Sequence, residues 1–178
     1  MARSKSKLAL ALIAQLKPLI EQIQSYDKEI ACFLARHPDS SLFRSLPGVA
    51  ENLAARMLSE FGDNRTRYEN FNSVQCEAGT APLTKESGGY RHVIFRRACN
   101  KHFRDALHLF AFSSLSHCLW AKKYYDSQRI KGVTHSRALR ALSNRWIKII
   151  FAMWKNHTIY NEQRYLADKT KHLLCQAA

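Results

Sequence analysis

"HSRALRALSNRWIKIIFAMWKN", residues 135–156, is the stretch whose periodicity decides the fold. With Leu139 set to zero and about 100° per residue, Leu142, Trp146, Ile149, Ile150, Met153 and Trp154 fall within roughly 80° of it. Arg137, Arg145, Lys148 and Lys155 fall between roughly 160° and 240°. Apolar residues on one side and cations on the other predict an amphipathic helix over 135–156, seated on a core by its apolar face. Upstream, a helical pattern is expected from Arg96 onward. There Arg97, Lys101, Arg104 and His108 stand at i, i+4, i+7 and i+11 as a basic stripe, with Phe103, Ala106, Leu107 and Phe110 on the apolar side. Trp120, Trp146 and Trp154 sit on or near apolar faces and are expected in the core. No internal repeat, low-complexity tract or convincing strand series is seen, so the chain reads as mainly α.

The two basic stripes belong to a lopsided charge distribution. The 178 residues carry 28 Lys and Arg against 14 Asp and Glu, a net charge of +14. Residues 81–178 hold 18 of the basic and only 5 of the acidic side chains, which accounts for almost the whole imbalance. A localised positive field favours a polyanion, because binding releases the counterions condensed on it. Nucleic acid fits better than an anionic membrane surface. The length suits one sizeable core, or a smaller domain with an extended arm. Cys32, Cys76, Cys99, Cys118 and Cys175 are odd in number and without paired spacing. They read as reduced, intracellular thiols rather than a disulfide framework or a zinc site. The apolar run near the N-terminus is broken by Gln15, Lys17 and Pro18, and nothing approaches the roughly 20 apolar residues of a spanning helix. A soluble, cytoplasmic protein is expected.

Leu12, Leu16, Leu19, Ile23, Tyr26, Ile30 and Phe33 alternate in spacings of four and three, the seam of a heptad. Two readings stand: self-association through the seam, or a helix packed on its own domain. Pro18 lies inside the run and should kink the helix or mark its start. "RHPDSS", residues 36–41, then breaks the helix and supplies capping residues. Residues 43–63 read as two short helices joined by a Leu46-Pro47-Gly48-Val49 hairpin. This is like a helix-hairpin-helix, in which backbone N–H groups near Gly48 and Val49 hold a phosphate; Ala50 replaces the usual second glycine.

Catalytic signatures are few. Glu77, Glu86, Asp105, Asp126, Glu162 and Asp168 form no recognisable metal-binding pattern, and the eight histidines show no HExxH. There is no P-loop, no GxGxxG and no G-x-S-x-G elbow, since Lys85 stands two before Ser87. What remains is Ser87 in a loop expected to be flexible and positively charged. A serine hydroxyl becomes a nucleophile when its proton is removed and the phosphate it attacks is neutralised. Lys85, Arg91, Arg96 and Arg97 are the nearby cations, and Gly88 and Gly89 let a backbone approach closely. No general base is evident; His92 is near in sequence only. Taken alone, Ser-Gly-Gly is equally an ordinary loop.

Several ordered motifs carry more. They are Leu46-Pro47-Gly48-Val49, Glu60-Phe61-Gly62-Asp63, Ala78-Gly79-Thr80-Ala81-Pro82, Ser87-Gly88-Gly89, Arg96-Arg97-Ala98-Cys99-Asn100-Lys101, and Ala138-Leu139-Arg140 through Arg145-Trp146. In this order they resemble the C-terminal half of insertion-sequence transposases of the IS-one-ten type (the IS-one-sixteen/IS-one-ten/IS-nine-oh-two group), over about residues 43–157. The resemblance implies a DNA recombinase, guided in at least some members by a structured RNA, in which the serine at position 87 becomes covalently joined to DNA. It implies a coiled coil before this half, hence a homo-oligomer. It also implies a RuvC-like domain upstream whose four Asp or Glu residues bind magnesium; that domain is expected to be absent here. No metal ligand therefore maps onto this chain, and magnesium is expected only with that domain. Where many members read Arg-Gly-Asn, this chain has Ala98-Cys99-Asn100.

The architecture expected is a coiled-coil arm (1–38), a compact serine-bearing helical domain (39–160) containing the helix-hairpin-helix-like element (43–63), and a C-terminal helical tail (161–178). The function expected is DNA transposition by a cytoplasmic, nucleoid-associated enzyme, with Ser87 as nucleophile and Arg91 and Arg96 stabilising the transferred phosphoryl group. Gly48, Val49, Lys85, Gly88, Gly89, Arg97, Lys101, Arg104, Arg137, Arg140, Arg145 and Lys148 are expected to contact DNA or RNA. Two alternatives stay open: a non-catalytic nucleic-acid-binding remnant that modulates a full-length transposase, and a helical scaffold.

Overall fold

The structure is a computed structural model describing residues 2–167. Its elements are α1 (Ala2–Arg36), α2 (Ser40–Arg44), α3 (Glu51–Phe61), α4 (Phe71–Glu77), β1 (Leu83–Ser87), β2 (Tyr90–Ile94), α5 (Lys101–His117), α6 (Leu119–Ile130) and α7 (His135–Asn156). A helical segment follows over 162–167. The rest of the expected C-terminal tail, with Asp168 and Cys175, lies outside the described residues. The fold is mainly helical, and no described helix is long and apolar enough to cross a membrane.

The α7 helix has the bounds its periodicity predicts, and it is the axis of the molecule. Helices α4, α5 and α6 pack against it, α3 packs on α5, and α2 and the C-terminal end of α1 pack on α3. Leu139, Leu142, Trp146, Ile147, Ile150, Met153 and Trp154 are all buried. All three tryptophans are core residues, as expected. Phe61, at the end of α3, is a hub for α5, α2 and α7, with ring centroids 5.2 Å from Phe103, 5.6 Å from Phe43 and 5.8 Å from Trp154. Each indole N–H has an acceptor: the Trp154 Nε1–H donates to Gly62 O (2.9 Å), that of Trp146 to Ser114 Oγ (3.0 Å) and that of Trp120 to the Tyr160 hydroxyl (2.9 Å). A buried donor left without an acceptor costs more than the net worth of a hydrogen bond, so these pairings fix which way each large ring points.

The α1 helix is continuous from Ala2 through Pro18, so Pro18 does not mark its start. The seam from Leu12 to Phe33 is exposed at every position, from 38% at Ile30 to 69% at Phe33. Only the last turns dock on the body: Leu34 is buried, and Asp27 accepts a hydrogen bond from Asn52 Nδ2 at 2.7 Å. The docked face is therefore a different face from the heptad seam. The break at residues 37–39 is as expected, but Asp39 does not cap α2 with its side chain. Its carboxylate instead holds the Arg65 guanidinium, with both oxygens 2.5 Å from one nitrogen.

Two further expectations are corrected. The helix expected from Arg96 begins at Lys101, because Asn100 caps it: its side-chain oxygen accepts from Phe103 N at 3.1 Å, and its amide donates to Glu60 Oε2 at 2.6 Å. And the segment around Ser87, expected as a loop in a chain without strands, is an antiparallel β-hairpin.

Candidate functional site

The hairpin pairs Leu83 with Ile94, Thr84 with Val93, Lys85 with His92, Glu86 with Arg91 and Ser87 with Tyr90, closed by the two-residue turn Gly88-Gly89. A two-residue hairpin turn needs a positive φ that other residues resist, and Gly88 supplies it at +57°. The β-branched and aromatic residues in "YRHVI" favour the second strand. Side chains alternate across a ribbon, and directly opposed residues share a face. Ser87, Lys85, Tyr90 and His92 thus occupy one face; Glu86 and Arg91 occupy the other. Arg91 Nε lies 2.8 Å from Glu86 Oε1. The structure does not bring Arg91 onto the face of Ser87. Apart from Leu83, every hairpin residue is exposed, so Ser87 stands at the tip of a projection rather than in a pocket.

At the root of the hairpin the expected DNA contacts do converge. Lys101, Arg104 and His108 on α5 meet Arg140 on α7 around Thr80 and Phe95, and Arg137 lies on the adjoining wall with Pro82 and Ile94. The Arg140 guanidinium stacks 4.1 Å from the Phe95 ring centroid and that of Arg104 lies at 5.2 Å. The acidic residue in this groove, Asp105, is taken by Arg56 at 2.7 Å. Burial first, then Arg104 and Arg137, push the Arg140 pKa below its usual value. Burial, then Arg140, His135 and Arg104, push His108 below its usual value. Like charges that outnumber the carboxylate among them oppose one another's ionisation; a further anion placed among them relieves that opposition.

The remaining candidates lie apart. Arg145 stacks over Tyr124 (4.4 Å) and Lys148 over Phe71 (4.7 Å), farther along α7. Arg97 is exposed; Arg96 is half-buried, its Nε buried without a hydrogen-bond partner. The α2–α3 turn is present, but it faces inward. A Cβ on Gly48 (φ +75°) would meet His117 Nδ1 at 2.6 Å and Ser113 Oγ at 2.8 Å, and Val49 packs against the core. The start of α3 carries Glu51, paired with Arg44, where a phosphate would otherwise sit.

Sequence reasoning misses Phe95 and Thr80, whose places depend on a hairpin it does not foresee. It also misses a cluster distant in sequence. The ligand atoms of His37, Asp39 and Asp63 lie within 4.8 Å of one another. Arg65 already occupies the Asp39 carboxylate, and His37 Nε2 is 2.8 Å from Asp63 Oδ1. A guanidinium inside the cluster opposes a divalent cation, so these residues do not fit a magnesium site.

Residues 40–126, from α2 to α6 and including the hairpin, match the family model "Transposase IS116/IS110/IS902 family". The chain is 33% identical over 154 residues to the uncharacterized 43.6 kDa protein of insertion element IS110 from Streptomyces coelicolor, 86% of this chain and 38% of that one. It is 32% identical over 158 residues to the mini-circle protein of IS117 from the same organism (89% and 38%), and 27% identical over 163 to the 42 kDa protein of IS900 from Mycobacterium paratuberculosis (87% and 40%). The chain thus spans well under half the length of the curated relatives it matches. It belongs to the IS116/IS110/IS902 family of transposases.

Proposed function

We propose that the chain is the serine-bearing part of a DNA transposase and that Ser87 is its nucleophile. The observation that carries this reading is the pairing of an exposed serine at a hairpin tip with a groove of cations at the hairpin's root, whose lining carboxylate, Asp105, is paired with Arg56. In the reaction, Ser87 Oγ bonds to a DNA phosphorus as the bond from that phosphorus to a sugar oxygen breaks. The serine proton leaves to solvent, and the departing oxygen takes one up. Arg104, Arg137, Arg140 and Lys101 hold the phosphodiester backbone, with Arg97 and Lys85 extending the track toward the tip. Arg91 joins only if DNA draws it from Glu86. That exchange is cheap, because an exposed ion pair is worth about 0–1 kcal/mol. The exposed heptad seam of α1 supports self-association as a coiled coil, which sets two such sites in one assembly. A structured guide RNA would use the same basic face, with Arg145 and Lys148.

One observation favours a second reading, a nucleic-acid-binding module without chemistry. Of the three residues expected to carry catalysis, Arg91 is turned to the opposite face and Arg96 is half-buried. A denaturing gel separates the two. The chain is mixed with DNA bearing the element's ends, magnesium and guide RNA, with and without a separately supplied RuvC-like half. A protein–DNA adduct that survives denaturant and disappears in Ser87→Ala supports the transposase reading. Salt-sensitive binding without any adduct supports the module.

A further inference from the structure

The Ser87 face of the hairpin carries an aromatic feature that the phosphate-binding reading does not use. Tyr90, directly opposite Ser87, is 65% exposed. Its hydroxyl is hydrogen-bonded to His92 Nε2, and the two rings meet edge-on with centroids 4.4 Å apart. The ring is therefore held in one orientation while remaining open to solvent. Around it the tip is bare: Ser87 is small, and a Cβ built on Gly88 or Gly89 would meet nothing within 4 Å. On the same face, Lys85 stands opposite His92, whereas the hairpin's carboxylate, Glu86, is on the far side with Arg91.

We infer that Tyr90, braced by His92, is a stacking platform for an unpaired DNA base next to the phosphate that Ser87 faces. A flat π-surface beside a backbone-binding cation is the combination that holds single strands irrespective of sequence, since every base has a face to stack. A base inside a duplex already has both faces covered and gains nothing from the ring. The substrate is accordingly DNA that is locally unpaired at the reacting step. This rests on the reading of Ser87 as nucleophile for its meaning, but its test is binding alone.

The test is fluorescence anisotropy of the full chain with a labelled single strand, the same sequence as a duplex, and the same sequence as RNA. Tyr90→Ile, which keeps a strand-favouring side chain and removes the ring, is expected to weaken single-strand DNA binding about tenfold and duplex binding by less than about twofold. Tyr90→Phe, which keeps the ring, stays within about twofold of the unaltered chain. Equal weakening by Tyr90→Phe, undiminished single-strand binding by Tyr90→Ile, or a loss confined to RNA overturns the inference. Ser87→Ala keeps the platform and is expected to bind the strand normally. If the Tyr90 effect stands and no Ser87 adduct ever forms, the nucleophile reading alone fails.

Discussion

In the helical body the tryptophans and several arginines are answered from within; at the root of the hairpin, Arg104 and Arg140 face no carboxylate partner among the described residues. Trp120, Trp146 and Trp154 each donate to a named acceptor, and Arg65, Arg56 and Arg67 each meet a carboxylate. In the groove under the hairpin, Arg104 and Arg140 lie against an aromatic ring and each other's charge. The body draws its stability from its own packing. The hairpin, with both faces in water, gains little from packing, and an isolated two-stranded hairpin is marginal. On the proposed reading, the difference marks where DNA binds.

The comparison breaks most sharply at Ser87. Ser87→Ala is expected to abolish the protein–DNA adduct and leave the unfolding midpoint unchanged, read by denaturing gel and urea titration in parallel. The converse change, Phe61→Ala, removes the ring that joins three helices. It should cost about 3–5 kcal/mol in urea unfolding, as a large-to-small substitution in a packed core does. Arg104→Ala with Arg140→Ala should weaken DNA binding without destabilising the fold. The slope of log K against log salt should fall by about 1 for each phosphate that is no longer neutralised.

The smallest expected effect is on pH. His108 titrates below its usual 6.5 in the folded chain because burial and the neighbouring cations oppose its charge. The folded state then binds fewer protons than the unfolded one. Its contribution to stability is complete above pH 6.5 and is lost as pH falls from there toward the folded value. His108→Gln should flatten that acid-side decline in unfolding free energy. A DNA phosphate in the groove favours the imidazolium, so affinity should rise as pH falls through the same window.

The parts legible in the sequence are those whose neighbours are close along the chain. The bounds of α7 follow from periodicity, and its apolar stripe matches the core, with Ile149 at the edge of the stripe only partly buried and Ile147 at the opposite edge fully buried. The seam of α1 is visible for the same reason, and the docking of its adjoining flank through Asp27 and Leu34 is not. The hairpin escapes a reading by periodicity because both its faces are exposed: "LTKES" shows no apolar alternation, and the Gly88-Gly89 turn between two short runs is the signal available. Asn100 is hidden within a run of helix-compatible residues, so the pattern alone starts the helix too early. The basic groove is half legible: its cations stand out one by one, while their convergence with Phe95 and Thr80 requires the fold.

The most direct test of the central claim is to isolate the protein–DNA adduct, digest it with nuclease and trypsin, and locate the residual nucleotide by mass spectrometry. Trypsin releases Glu86 to Arg91 as one peptide, in which Ser87 and Tyr90 are the two hydroxyl-bearing residues. A nucleotide on Ser87 is the predicted result. A nucleotide on Tyr90 or on any other peptide would contradict the account.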